Sequence, residues 1–90
     1  MAVIIIMRAK FKDYATWRPF FDGNKSNRAA AGLTNERVFR SADDKNEITI
    51  IFDDMDTKKA KDFASSQDLK DTMMKAGVVG KPTVYFLETI

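Results

Sequence analysis

The chain has 90 residues, 44% of them hydrophobic and 31% charged, with 15 Lys and Arg against 13 Asp and Glu for a formal net charge of +2. That length predicts one small domain (residues 1–90) of ordinary soluble composition, whose modest core favours self-association. There is no cysteine and no histidine, which excludes disulfides, thiol nucleophiles, Cys or His metal sites and the commonest general base, so no cofactor is expected.

The charges alternate in sign along the chain. Lys58, Lys59 and Lys61 sit beside Asp56 and Asp62, which predicts a solvated helix face rather than a nucleic-acid patch. The opening apolar run is too short for a secretion signal, and nothing approaches the roughly 20 apolar residues of a membrane span. The expectation is a cytoplasmic protein with neither nucleic acid nor membrane as a partner.

Residues 2–10 form a β-branched run without a breaker and predict a strand, apolar on both faces for most of its length and so central in a sheet. Asp13 is the expected N-cap of the first helix, with Thr16 as the alternative. Pro19 lies past the first turn counted from Asp13 but inside it counted from Thr16, which predicts an irregular start or slight kink. Gly23 weakens the middle of this helix and Gly32 is a natural terminator. Residues 33–41 alternate as a second strand, residues 42–46 make a hairpin turn, and residues 47–53 make a third strand with Ile48, Ile50 and Phe52 on one face. A helix over residues 57–65 buries Ala60, Phe63 and Ala64. Residues 65–68 interrupt it, and a further helical piece carrying Leu69, Met73 and Ala76 ends at Gly77. Residues 78–82 are expected to be a loop, and residues 83–88 the last strand, again apolar on both faces.

The order βαββαβ predicts a ferredoxin-like α+β fold: a four-stranded antiparallel sheet with the helices on one face. Two helices cover only one face, yet three strands are apolar on both. The uncovered face therefore predicts a homodimer, sheet packed on sheet about a two-fold axis.

At 100° per residue, Tyr14, Trp17, Phe20 and Phe21 share a stripe that continues through Asn24, Asn27, Arg28 and Ala31. Trp17, Phe21, Asn24 and Arg28 are the leading ligand-binding candidates, with Phe63, Leu69, Met73 and Met74 as an opposite wall. In that arrangement Arg28 binds a carboxylate or phenolate oxygen, Asn24 donates to a carbonyl, and the aromatics form an apolar wall. The competing reading makes the aromatics core and pairs Arg28 with Glu36 or Asp54. Asp53, Asp54 and Asp56 read as turn and capping residues rather than a cation site. Gly77 and Gly80 match a GXXG pattern in spacing, but a helix stop and turn account for them.

The aromatic first helix (Tyr14, Trp17, Phe21), Arg28 before Gly32, and the run from Ala76 to Phe86 resemble the dimeric α+β-barrel superfamily, which includes the antibiotic-biosynthesis monooxygenase-like proteins. The resemblance spans nearly the whole chain and implies a dimer in which each subunit keeps a small pocket between sheet and helices. Cofactor-independent monooxygenases of that group place asparagine, tryptophan and arginine around the substrate, residue types that Asn24, Trp17 and Arg28 supply. The haem-degrading branch uses a histidine absent here. Two functions remain open. One is a small-molecule-binding homodimer acting as a cofactor-independent monooxygenase or isomerase on an aromatic or enolisable compound or small organic anion. The other is a non-catalytic dimeric module with a filled interior and Arg28 paired within its own chain. No residue is assigned a catalytic step.

Overall fold

The computed structural model describes residues 3–90. Strand β1 (Val3–Phe11) leads into two short helices, α1 (Tyr14–Gly23) and α2 (Lys25–Ala30). Strands β2 (Leu33–Arg40) and β3 (Glu47–Asp54) follow, then helices α3 (Thr57–Ala64) and α4 (Gln67–Lys75) and strand β4 (Val78–Glu88). Ala2, the expected first strand residue, lies outside the described residues. The sheet is antiparallel throughout in the order β2-β3-β1-β4. This is the ferredoxin-like arrangement, with each helical crossover broken into two pieces.

Local chemistry explains the breaks. Asp13 caps α1, its carboxylate accepting from the Thr16 N–H at 3.0 Å, and the helix runs on through Pro19. Gly23, a poor helix former, is followed by Asn24 at φ −94° and ψ 7°, where the axis is re-set before α2. Asp56 caps α3 through the Lys59 N–H at 3.2 Å, and Ser66 caps α4 through the Leu69 N–H at 3.2 Å. Asp54 accepts from the Asp56 N–H at 2.9 Å, so Asp54 and Asp56 organise the turn into α3. Among the described residues no acidic group is arranged to hold a metal.

One expected loop is a strand. Residues 78–82 belong to β4, where Val78 and Val79 pair with Phe11 and Lys10. The register slips between Arg8 and Lys10, and Gly80 adopts φ +73° in the slipped stretch. Pro82 is compatible with this because β4 is an edge strand, where a missing N–H breaks no outer ladder.

The core lies between the sheet and the helices, centred on Phe11, Ile48 and Ile50. Alternation places Ile5, Ala9 and Phe11 on that side of β1, beside Ile48, Ile50 and Phe52 of β3. The other side carries Ile4, Ile6, Ile51, Phe39, Tyr85 and Leu87, the last three 51%, 50% and 44% exposed. Ion pairs Arg8–Glu47 at 2.7 Å and Arg37–Asp53 at 2.9 Å flank these apolar residues.

Candidate functional site

The end of β1 and the start of α1 bring four rings together. Phe11 lies 6.0 Å from Tyr14 and 5.4 Å from Trp17, and Trp17 stacks on Phe21 at 4.9 Å. The i, i+3 and i+4 spacing of Tyr14, Trp17 and Phe21 puts these rings on the inner stripe of α1. Trp17 is 4% exposed and forms the floor of that stripe.

The stripe faces a cavity of about 90 Å³ between sheet and helices. Trp17, Phe21, Asn24 and Arg28 line one side, and Phe63 and Met73 line the other, so all six candidates meet in one place. Met74 does not: it is 76% exposed on the outer side of α4. Leu69 does reach the cavity, as does Thr72. The sheet supplies Met7, Phe52, Val84 and Phe86, which lie off the helical stripe and were not among the candidates. Their signal was available in the strand alternation, since each falls on the helix-facing side of its strand. Phe20 also contributes although it is 38% exposed.

Arg28 is the polar centre. The residue is 5% exposed, held by the short helix α2 beneath the end of α1. Its guanidinium carbon sits 3.8 Å from the centroid of the Phe21 ring, and one terminal nitrogen donates to the Phe21 carbonyl. The other lies 3.4 Å from Glu36 Oε1, while Nε is buried with no partner among the described residues. Burial pushes the pKa of Arg28 down and the Glu36 carboxylate opposes that shift. The Glu36 carboxyl is itself held below its ordinary value, first by its own backbone N–H and then, against some desolvation, by Arg28. Arg28 therefore borders the cavity and at the same time pairs with Glu36 of its own chain.

Asn24 sits at the helix break. Its side-chain oxygen accepts from Asn27 Nδ2 at 2.7 Å, which leaves its own amide N–H₂ as a donor. Two surface depressions adjoin the cavity. One, between α1, α2 and β2, shares Arg28 with it and holds Arg18, Asp22, Lys25 and Glu36. The second runs between α2 and the α3–α4 pair and shares Asn24, Phe63, Leu69 and Thr72 with the cavity.

No protein-family model and no curated protein matches the chain. Solved structures do. A candidate antibiotic biosynthesis monooxygenase from Bordetella bronchiseptica superposes with a TM-score of 0.78 at 15% identity, over 99% of this chain and 97% of that one. SnoaB, a cofactor-independent oxygenase from Streptomyces nogalater, gives a TM-score of 0.70 at 13% identity over 99% and 95% of the two chains. Rv0793 from Mycobacterium tuberculosis gives 0.71 at 15% identity over 100% and 96%. The chain thus has the ferredoxin-like α+β fold of the antibiotic biosynthesis monooxygenase-like structures.

Proposed function

We propose that this protein is a homodimeric small-molecule-binding domain whose ligand is a compact aromatic or enolisable compound seated between sheet and helices. One observation carries the reading: an apolar cavity walled by Trp17, Phe21, Phe63 and Met73 has two polar residues, Asn24 and Arg28, at one end. An aromatic body on the rings and a single oxygen toward Asn24 and Arg28 satisfies both parts. The cavity at about 90 Å³ is smaller than the about 150 Å³ that holds benzene in a known apolar cavity, so a ring enters only as the wall yields. Helix α4 is suited to yield, because none of its residues is buried and its inward contacts include the flexible Met73.

On an enolisable ligand the chemistry open to this site is that of a cofactor-independent oxygenase or isomerase. The substrate's own carbanion performs the difficult step, and Asn24 and Arg28 stabilise charge developing on its oxygen. The likeness in fold to SnoaB supports this class. The dimer forms through the apolar outer face of the sheet, since exposed rings and aliphatics on neighbouring strands make a self-complementary patch.

Trp17 is the only tryptophan, so ligand entry reports directly in its fluorescence. Titration with small phenols and aromatic ketones should quench or shift its emission, and Ala64→Phe, which fills the cavity, should abolish the response. A response equal in the filled variant would sink the cavity as the site. Dioxygen uptake with the binding compounds, without added metal or cofactor, separates the oxygenase from the binding module.

A further inference from the structure

Glu36 shares the helix-facing side of β2 with Val38, which pairs with the core residue Ile50. Thr34 pairs with Asp53 and Arg37 with Ile51, so Asn35 and Glu36 both stand opposite Phe52 as a β-bulge. Asn35 takes φ +51°, a left-handed conformation that asparagine tolerates. Asp53 pins the bulge from outside, accepting from Asn35 Nδ2 at 3.0 Å and from Arg37 at 2.9 Å. The extra residue lets Leu33 share the helix side with Glu36 and Val38, and there the Glu36 carboxylate meets Arg28 at 3.4 Å.

We infer that Glu36 is a specificity-determining residue that sets the charge the cavity accepts, favouring a neutral molecule with one hydrogen-bond acceptor over its anionic isostere. The inference rests on the reading of the cavity as a ligand site. Glu36 is the only carboxylate in ion-pair distance of Arg28 among the described residues, and it already balances the buried cation. An anion placed against Arg28 would make a partly buried set of two negative charges on one positive. It would have to drive Glu36 out toward Lys25 in the neighbouring depression. A neutral acceptor meets no such opposition. It can take the N–H of Arg28 Nε, which is buried without a partner among the described residues, and leave the ion pair in place. A molecule that is neutral when bound and develops charge only on reacting suits this balance.

The test uses benzamide and benzoate, which share a shape and differ in charge. Both are titrated into the full-length protein and into Glu36→Gln, with Trp17 fluorescence and ligand-detected NMR as readouts. The wild type should bind benzamide roughly tenfold more tightly than benzoate, and Glu36→Gln, with Arg28 left unmatched, should remove or reverse that preference. Equal affinities or a benzoate preference in the wild type would overturn the inference even if the variant does not fold. An unchanged preference in a folded Glu36→Gln would overturn it as well. If both compounds bind without regard to charge, the cavity reading stands and the role of Glu36 falls; if neither binds at millimolar concentration, both fall.

Discussion

Arg28 sits over the ring of Phe21, its guanidinium carbon 3.8 Å from the centroid, while also donating to the carbonyl of that same residue. One residue thus supports the cation through its face and its backbone, which ties α2 to the last turn of α1 across the break at Asn24. Replacing Arg28 by Ala removes the stacking, the carbonyl bond and the partner of Glu36 together. The expected loss is about 2–4 kcal/mol in urea unfolding. Arg28→Met keeps most of the contact with Phe21 and should lose less, because Glu36, 23% exposed at its side chain, can turn to water. Equal losses in the two variants would show that packing on Phe21 contributes little.

The backbone N–H and the ion pair that hold the Glu36 carboxylate also predict a pH dependence. The folded Glu36 pKa lies below its unfolded value, so the associated stability is present above the ordinary glutamate range and is lost as pH falls through the folded value. The wild type should therefore be more stable than Glu36→Gln near neutrality, with the gap closing toward acid. The exposure of Glu36 keeps the effect small. A gap that widens as pH falls would reverse the assigned sign.

The same geometry shows what could be read from residue order and what could not. The fold followed from patterns of period 2 and 3.6, and capping residues such as Asp13, Asp56 and Ser66 acted where their chemistry places them. Trp17, Phe21, Asn24 and Arg28 share a stripe in sequence and a cavity in space, because a break after Gly23 re-sets the helix without turning that stripe away. Glu36 could be named only as one of two alternatives for Arg28. Counting by twos from Val38 turns it inward and counting from Leu33 turns it outward, and the bulge at Asn35 that reconciles the two is not encoded by regular alternation. The strand character of residues 78–82 was masked by Gly80 and Pro82, and it depends on pairing with Lys10 and Phe11 some seventy positions away.

Asn35 gives the bulge its own test. Asn35→Val places a β-branched residue at φ +51° and removes the bond to Asp53. It should cost about 1–3 kcal/mol and weaken the hold of Glu36 on Arg28. Asn35→Gly relieves the conformational demand but also loses the Asp53 bond, so it should fall within about 1 kcal/mol of wild type. A neutral Asn35→Val would mean that β2 can re-register without the bulge.

Two glycines should respond in opposite directions to Ala. At Gly32, φ is +85° and an added Cβ would lie 3.0 Å from the Asp56 backbone nitrogen, which leaves no flexible neighbour to move. Gly32→Ala should cost about 1–3 kcal/mol by thermal unfolding. At Gly23 nothing lies within 4 Å of the added atom and φ is not positive. Gly23→Ala should be neutral or stabilise by up to about 1 kcal/mol, since it ends α1 in a helical conformation. A large loss at Gly23 would show that the junction with α2 must flex for the protein to fold.

The proposed dimer is tested at the centre of the outer sheet face. Ile6 lies there between Ile51 of β3 and Tyr85 of β4. The residues directly across from it and Ile4 along the strand are apolar, with Arg8 and Asp53 one step further out in ion pairs with Glu47 and Arg37. A lysine introduced at Ile6 stands next to Arg8 along the strand, finds Asp53 already paired with Arg37, and would be desolvated if two sheets close over it. Ile6→Lys should therefore shift sedimentation at micromolar concentration from dimer to monomer, while leaving the helix-side core intact because Ile6 points away from it. Thr83→Lys, placed opposite Arg8 nearer the margin, should weaken association less. A wild-type monomer at micromolar concentration, or an Ile6→Lys variant that sediments as the dimer, would remove the sheet face as the subunit contact and leave its exposed aromatics to some other partner.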